Sequence, residues 1–414
     1  MILLILLFGL AWAASAQDSY IIQNAKIYTV SGPVIERGDV VIQQGIIAAV
    51  GPGLAVPAGA QRIDGRGLSV YPGLFDAHTI LGMTEPTREM EMGALAPELL
   101  IFSSFRTSSA RIPVARVNGV THILSRPRIT GIIPGQGAIM NLAGWTPEQM
   151  EIRRRGALIL DYPSLGSLEF SADERYEIPS FSVARAQYEK RVGELKKLLA
   201  AARQYMKAPS AVPDLRLEAL VPALRGELPV LITAGTRVDI RNAVEFARQE
   251  NLNYILVGAV EAWKVVDFLK QNNVRVILGP SQTMPLGEDD PADAVYRTAA
   301  LLHARGVPFA IATVGASGAT YAETHYLPYQ AGLAVAYGLP YEAGLRSITL
   351  TPAEFLGIAD KVGSIEKGKK ANLAVADGDI LECTTRIKHL FINGKPAPLE
   401  TVFAREYEKY AHRP

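Results

Sequence analysis

Two hydrophobic rhythms divide this chain. From Tyr20 to about Val70, the segments YIIQNAKIYT, GDVVIQQGIIAAVGP and AQRIDGRGLSV alternate β-branched with polar residues, and Gly and Pro break them. That pattern predicts short strands joined by tight turns. The stretches GSIEKGKKANLAVADGDIL (363–381) and IKHLFINGKPA (387–397) read the same way, with Asn393-Gly394 as a hairpin turn. Two β-rich pieces at opposite ends are expected to pair into one small domain.

Between them the rhythm changes. PVLITAG (229–235), LNYILVGA (252–259), VRVILGPS (274–281) and VPFAIATVG (307–315) are short, nearly continuous apolar runs. Amphipathic stretches separate them: VDIRNAVEFARQEN (238–251), EAWKVVDFLKQNN (261–273) and DDPADAVYRTAALLHARG (289–306). Buried strands alternating with helices of this length imply parallel βα units. The expected fold class is α/β: a (β/α)8 TIM-like barrel over 71–356, with a small β-sandwich domain built from 17–70 plus 357–400. Residues from about 150 to 210 break the rhythm and read as a helical insertion. There Val192, Leu195, Leu199, Ala202 and Met206 form one apolar stripe. It suits a helix packed on the barrel exterior, the alternative being a dimerisation or lid element.

Composition narrows the function classes. The chain has 414 residues, 49% hydrophobic and 20% charged, with a net charge of +1. Such a balance gives nucleic acid or an anionic membrane no general field to follow. The opening run MILLILLFGLAWAASAQ ends in Ala14-Ser15-Ala16, a small-x-small cleavage pattern. Residues 1–16 are therefore expected to be a secretory signal peptide, and Gln17 the mature start of an exported, periplasmic or extracellular protein. The run is short for a membrane span and lacks the usual basic start. Cys383 is the only cysteine, so no intramolecular disulfide forms. It is expected to be a plain structural or surface residue.

The richest chemical signal is LSVYPGLFDAHTILG (68–82). Alternate side chains of a strand share a face, so His78 and residue 80 point the same way. A His-x-His pair there would place two imidazoles on one cation. Residue 80 is Ile80, which cannot coordinate a metal.

These motifs, with IQQGIIAAVG (42–51), YPGLFDAH (71–78), ITLTPAEFLGI (348–358), VGSIEKGKKANLAVADGD (362–379) and FINGK (391–395), resemble the amidohydrolase superfamily, in particular its imidazolonepropionase-like members. The resemblance implies zinc or another divalent metal at the carboxy-terminal ends of the barrel strands. Its ligands would be two His from strand one, one His each from strands five and six, and an Asp from strand eight, with a carboxylated Lys or a Glu on strand four in some members. It also implies hydrolysis of a carbon–nitrogen bond by metal-activated water. This chain departs from that set. His78 is present, but Ile80, Thr233, Gly258 and Val314 stand where the second His, the His of strands five and six, and the Asp would be. No Lys or Glu on strand four suits the remaining place.

Of the other histidines, His122 falls on the second strand and His325 in the loop after strand eight, while His303, His389 and His412 lie away from the strand ends. IPGQGAIMNLAG (133–144), beside Arg126 and Arg128, could cradle a phosphate or carboxylate, but tight turning explains the glycines better. Arg153-Arg154-Arg155 reads as a solvated helix face, and Trp145 and Trp263 as packing residues. The expected function is an exported amidohydrolase-like barrel with a degenerate metal site. It would use no cofactor, be catalytically silent or strongly altered, and bind a small-molecule ligand at His78, Ile80, Thr233, Gly258 and Val314, or else a partner such as a paralogous subunit. No nucleic acid partner and no stable membrane insertion are expected, and homo-oligomer formation is open. The alternative is an active hydrolase of carbon–nitrogen bonds in cyclic amides.

Overall fold

The computed structural model describes residues 19–83, 95–128, 131–165, 169–170, 176–177, 180–208, 212–315 and 323–411. The leader, the Gln17 start and His412 lie outside them. None of the helices among the described residues is long and apolar enough to cross a membrane.

The first sheet has eight strands drawn from both chain ends. Its order is Lys395–Pro396, Ile387–Ile392, Leu373–Ala376, Ser69–Pro72, Tyr20–Ile27, Ile35–Gln43 and Ile46–Gly51, with Gln61–Asp64 beside Tyr20–Ile27. All eight join into one hydrogen-bonded sheet, where the sequence suggests a sandwich. The sheet curls so that its two edges meet. Ile47 donates its N–H to the Lys369 carbonyl at 2.8 Å, and the turn glycines Gly45 and Gly394 touch. Both have positive φ, and a Cβ on Gly394 would fall 2.5 Å from the Gly45 Cα, so only glycine fits that meeting point. Inside the curl lie Ile22, Ile27, Val40, Ile42, Val70, Leu373, Val375 and Phe391.

The second sheet is a nearly closed barrel of eight strands, giving a mixed α/β fold. They are β1 (Leu74–Thr79), β2 (Val120–Ser125), β3 (Gly135–Asn141), β4 (Glu151–Asp161), β5 (Val230–Ala234), β6 (Tyr254–Gly258), β7 (Val276–Leu278) and β8 (Phe309–Ile311), paired in sequence order. The seam between β8 and β1 is drawn together by the Val314 N–H, which donates to the His78 carbonyl at 3.1 Å. Five of the seven pairings are parallel, but β3 runs antiparallel to both β2 and β4. The regular (β/α)8 rhythm is thus replaced there by a meander. Antiparallel neighbours need no crossover helix, which is why the 126–134 connection can be short. The Gly-rich stretch expected as a turn is largely β3 itself, and Gly135 and Gly137 sit in a strand buried throughout.

One cluster takes side chains from every barrel strand: Phe75, Ala77, Leu124, Ile139, Ala157, Ile159, Leu231, Ile255, Val257, Ile277 and Ala310. Only the barrel interior can be common to all eight strands. The helix Leu350–Phe355 and the residues after it close the lower end, adding Ala353, Phe355, Leu356, Ile358 and Val362 to the cluster. Arg153 fastens this plug, donating to the carbonyls of Leu356 at 2.8 Å and Gly357 at 2.7 Å. The Arg153-Arg154-Arg155 run therefore belongs to β4, not to a helix face, and Arg154 stacks over Phe102 at 4.1 Å. The helix Arg237–Gln249 starts on a Thr236 cap, with Asp239 buried at its first turn. The long helix Phe181–Lys207 buries Leu195, Leu199 and Ala202 and packs against the helix Leu215–Leu224. Trp145, expected in packing, is 89% exposed. Cys383 is a free, exposed thiol.

Candidate functional site at the barrel mouth

Strand parity shows which side chains reach the mouth. Leu124, Ile159, Leu231 and Ala312 belong to the interior cluster. Two residues further along the chain from each stand Arg126, Asp161, Thr233 and Val314. Three of the four are polar, and they are bonded together. Arg126 grips Asp161 with both arms of its fork, Nη1 to Oδ1 at 3.0 Å and Nη2 to Oδ2 at 2.6 Å. Its Nε donates to the Pro127 carbonyl at 3.0 Å. The Thr233 hydroxyl donates to Asp161 Oδ1 at 2.8 Å. This bidentate geometry fixes both the position and the plane of the guanidinium.

His78 stands within electrostatic reach of this group. Its Nδ1 lies 2.8 Å from the Val314 carbonyl, which can only accept, so Nδ1 carries the proton. A neutral ring then leaves the lone pair on Nε2, which is buried and meets no partner among the described residues. Burial first, and the positive Arg126 second, push the His78 pKa down to about 3, so the ring stays neutral. Two residues back, Asp76 is fully buried and ties β1 to the end of β8. It accepts from the Thr313 hydroxyl at 2.5 Å and from the Thr313 N–H at 3.2 Å. Burial raises its pKa to about 6 despite those hydrogen bonds.

The other expected positions divide. Val314 is apolar and buried, outside the interior cluster. Ile80 packs in the outer cluster together with Leu81, 2% exposed. Gly258 is on the opposite register from Val257 and has φ +89, a conformation that strains any residue with a Cβ. A histidine would not sit comfortably there. Glu261 is already engaged, accepting from Lys264 at 2.6 Å and from the Arg237 N–H at 2.6 Å. His122 lies lower in the barrel, bonded to Thr121 at 2.6 Å and tilted against Phe75 at 4.5 Å. His325 sits in a short turn, Thr324–Tyr326, its ring 4.0 Å from that of Tyr326. His303 is on the helix Ala294–Ala304 and His389 on the strand Ile387–Ile392.

Asp161 is the residue that no motif announces. Its signal is positional: it ends the apolar run ALILD (157–161) on the interior register, beside the Arg126 that the sequence does single out. Strand four thus does present an acid at its end, an aspartate held by a guanidinium. Among the described residues no three His, Cys, Asp or Glu side chains converge as a metal-binding group. The donor set does not fit the divalent centre that the resemblance implies. It offers one imidazole lone pair and a carboxylate already neutralised by Arg126.

Comparison with known proteins shows what the chain is similar to. A model described as the amidohydrolase family matches residues 250–397. A dihydroorotase from Mycobacterium tuberculosis is 35% identical over 130 residues, which is 30% of this chain and 30% of that protein. The match thus takes in less than a third of that relative's length. The fold of an amidohydrolase from Thermotoga maritima superposes with a TM-score of 0.76 at 22% identity, covering 92% of this chain and 99% of that one. An adenosine deaminase from Xanthomonas campestris, solved with bound zinc, superposes with a TM-score of 0.52 at 18% identity, over 95% of this chain and 98% of the other. The chain thus matches the amidohydrolase family model over residues 250–397, and its barrel with the appended sheet shares the fold of an amidohydrolase.

Proposed function

We propose that this protein is a hydrolase of carbon–nitrogen bonds whose substrate is a cyclic amide bound at the barrel mouth. The observation that carries the reading is the 35% identity with a dihydroorotase over 130 residues, in a chain that folds as amidohydrolases do. Together with hydrolases among its neighbours, this favours an active enzyme over a silent barrel. The polar group at the strand ends supports the same location, since the functional face of such barrels is the carboxy-terminal one. Export is part of the proposal, supported by the apolar leader and its Ala14-Ser15-Ala16 site.

A second reading has its own support. Ile80, Gly258 and Val314 offer no lone pair, and Asp161 is committed to Arg126. On that reading the barrel binds a small ligand without turning it over. The two are separated by incubating the mature chain with lactams, hydantoins and cyclic ureides, with and without added zinc, and following ring opening by amide absorbance. Ring opening above the protein-free rate supports the hydrolase. Inactivity across the panel in both conditions overturns it and leaves the ligand-binding barrel.

A further inference from the structure

We propose that the Arg126–Asp161 pair is a recognition element for the cis-amide edge of the ligand, standing where the superfamily would hold its metal. The inference rests on the reading that a cyclic amide binds at the mouth, and it goes on to say how that amide is recognised.

The argument starts from a count of donors and acceptors. A guanidinium has five N–H groups. Arg126 uses one on Pro127 and two on Asp161, which leaves two with no acceptor among the described residues. Asp161 Oδ1 accepts twice, from Arg126 and Thr233, whereas Oδ2 accepts once. The pair is not symmetric toward solvent. The Arg126 side chain is 10% exposed and that of Asp161 28%, so the mouth opens on the carboxylate side. A partly open ion pair therefore presents an unused donor and an unused acceptor from groups locked to each other.

The complement of an adjacent donor and acceptor is a group with an adjacent acceptor and donor. An open-chain secondary amide is trans, and its C=O and N–H point in opposite directions. A small ring forces the amide cis, which turns both groups to one edge. That edge can give its N–H to Asp161 and take an N–H from Arg126 at once. The pair thus distinguishes a lactam from a linear amide by shape and from an N-alkylated lactam by the lost donor. A guanidinium beside the carbonyl oxygen also supplies a fixed positive partner there, without a divalent ion.

The test measures binding, so it does not depend on turnover. The affinity of the mature chain for 2-piperidone, N-methyl-2-piperidone and N-methylacetamide is measured by ligand-observed NMR titration, before and after EDTA treatment. The expected result is at least tenfold preference for 2-piperidone over both others, unchanged by EDTA. Removing one partner alone would leave a half-buried charge and could unfold the protein. The informative variant is therefore the double replacement R126M with D161N, its fold checked by far-UV circular dichroism. It should lose the preference, binding the three compounds within about threefold of one another. Three results overturn the inference: no preference in the wild type, a preference that survives in the double variant, or binding that EDTA abolishes and zinc restores. Preferential binding without ring opening would sustain the inference while defeating the hydrolase. Ring opening with no preference for the cis-amide edge would do the reverse.

Discussion

Replacing His122 by leucine should make the protein markedly more resistant to acid. His122 is fully buried inside the barrel, its Nδ1 bonded to Thr121 and its ring against Phe75. Burial lowers its pKa from 6.5 to about 3. Between those values the unfolded chain binds a proton that the folded chain refuses. Stability therefore falls as pH drops below 6.5, and it is fully retained above it. From pH 7 to pH 4.5 the linkage amounts to ~2.5 kcal/mol lost through this one residue. Leucine has a similar volume and no titration, so the variant should be spared that loss.

The assay is urea unfolding of wild type and His122→Leu at both pH values, followed by far-UV circular dichroism. Each protein is compared with itself across pH. Any packing change that the leucine causes at pH 7 then cancels, as do the titrations of Asp76 and His78 common to both. The wild type should lose about 2–3 kcal/mol more than the variant between pH 7 and pH 4.5. Equal losses would refute the reasoning, because they would mean that His122 is protonated without cost in the folded barrel.

Two further outcomes follow from the same structure. Asp76 has the opposite sign: its folded pKa of about 6 lies above the ordinary carboxyl value of 3.8. The folded chain holds the proton more tightly, so wild type gains ~2 kcal/mol from this group between pH 7 and pH 4.5. Asp76→Asn should lack that gain and lose stability to acid more steeply, as the same pair of urea titrations would show. Gly394→Ala places a methyl on the Gly45 backbone at positive φ, and should lower stability by ~2 kcal/mol or more, read as an earlier urea midpoint at pH 7.

Much of the barrel is written in hydrophobic period. Four apolar runs between 229 and 315 become β5 to β8, because a parallel strand covered on both faces needs little polar relief. The helix Phe181–Lys207 follows from its apolar stripe, and the capped helix Arg237–Gln249 from its amphipathic pattern. What period cannot convey is direction. Gly135–Asn141 is apolar and glycine-rich in either orientation, and only the short 126–134 connection hints that β3 runs backward. Nor does it separate a strand from a helix over three consecutive arginines: Arg153 looks solvated until the plug carbonyls of Leu356 and Gly357 stand in front of it.

The mouth was harder to read for a different reason. Searching for a metal site asks where histidines recur, and that question stops at His78 and finds Ile80. Strand geometry asks something more general: what stands two residues past the last interior side chain of each strand. Applied to β2, β4 and β5, it yields Arg126, Asp161 and Thr233, which sit on three different strands and touch. Each is unremarked alone, since one arginine or one aspartate at a strand end is commonplace. Their energetic meaning is collective. An ionised Asp161 with no counter-charge would be costly in so sheltered a place, and so would Arg126 without its acid. Having each other, the two offer a polar, directional surface at the strand ends. The pair is therefore the feature of this mouth with the chemistry to recognise a polar ligand.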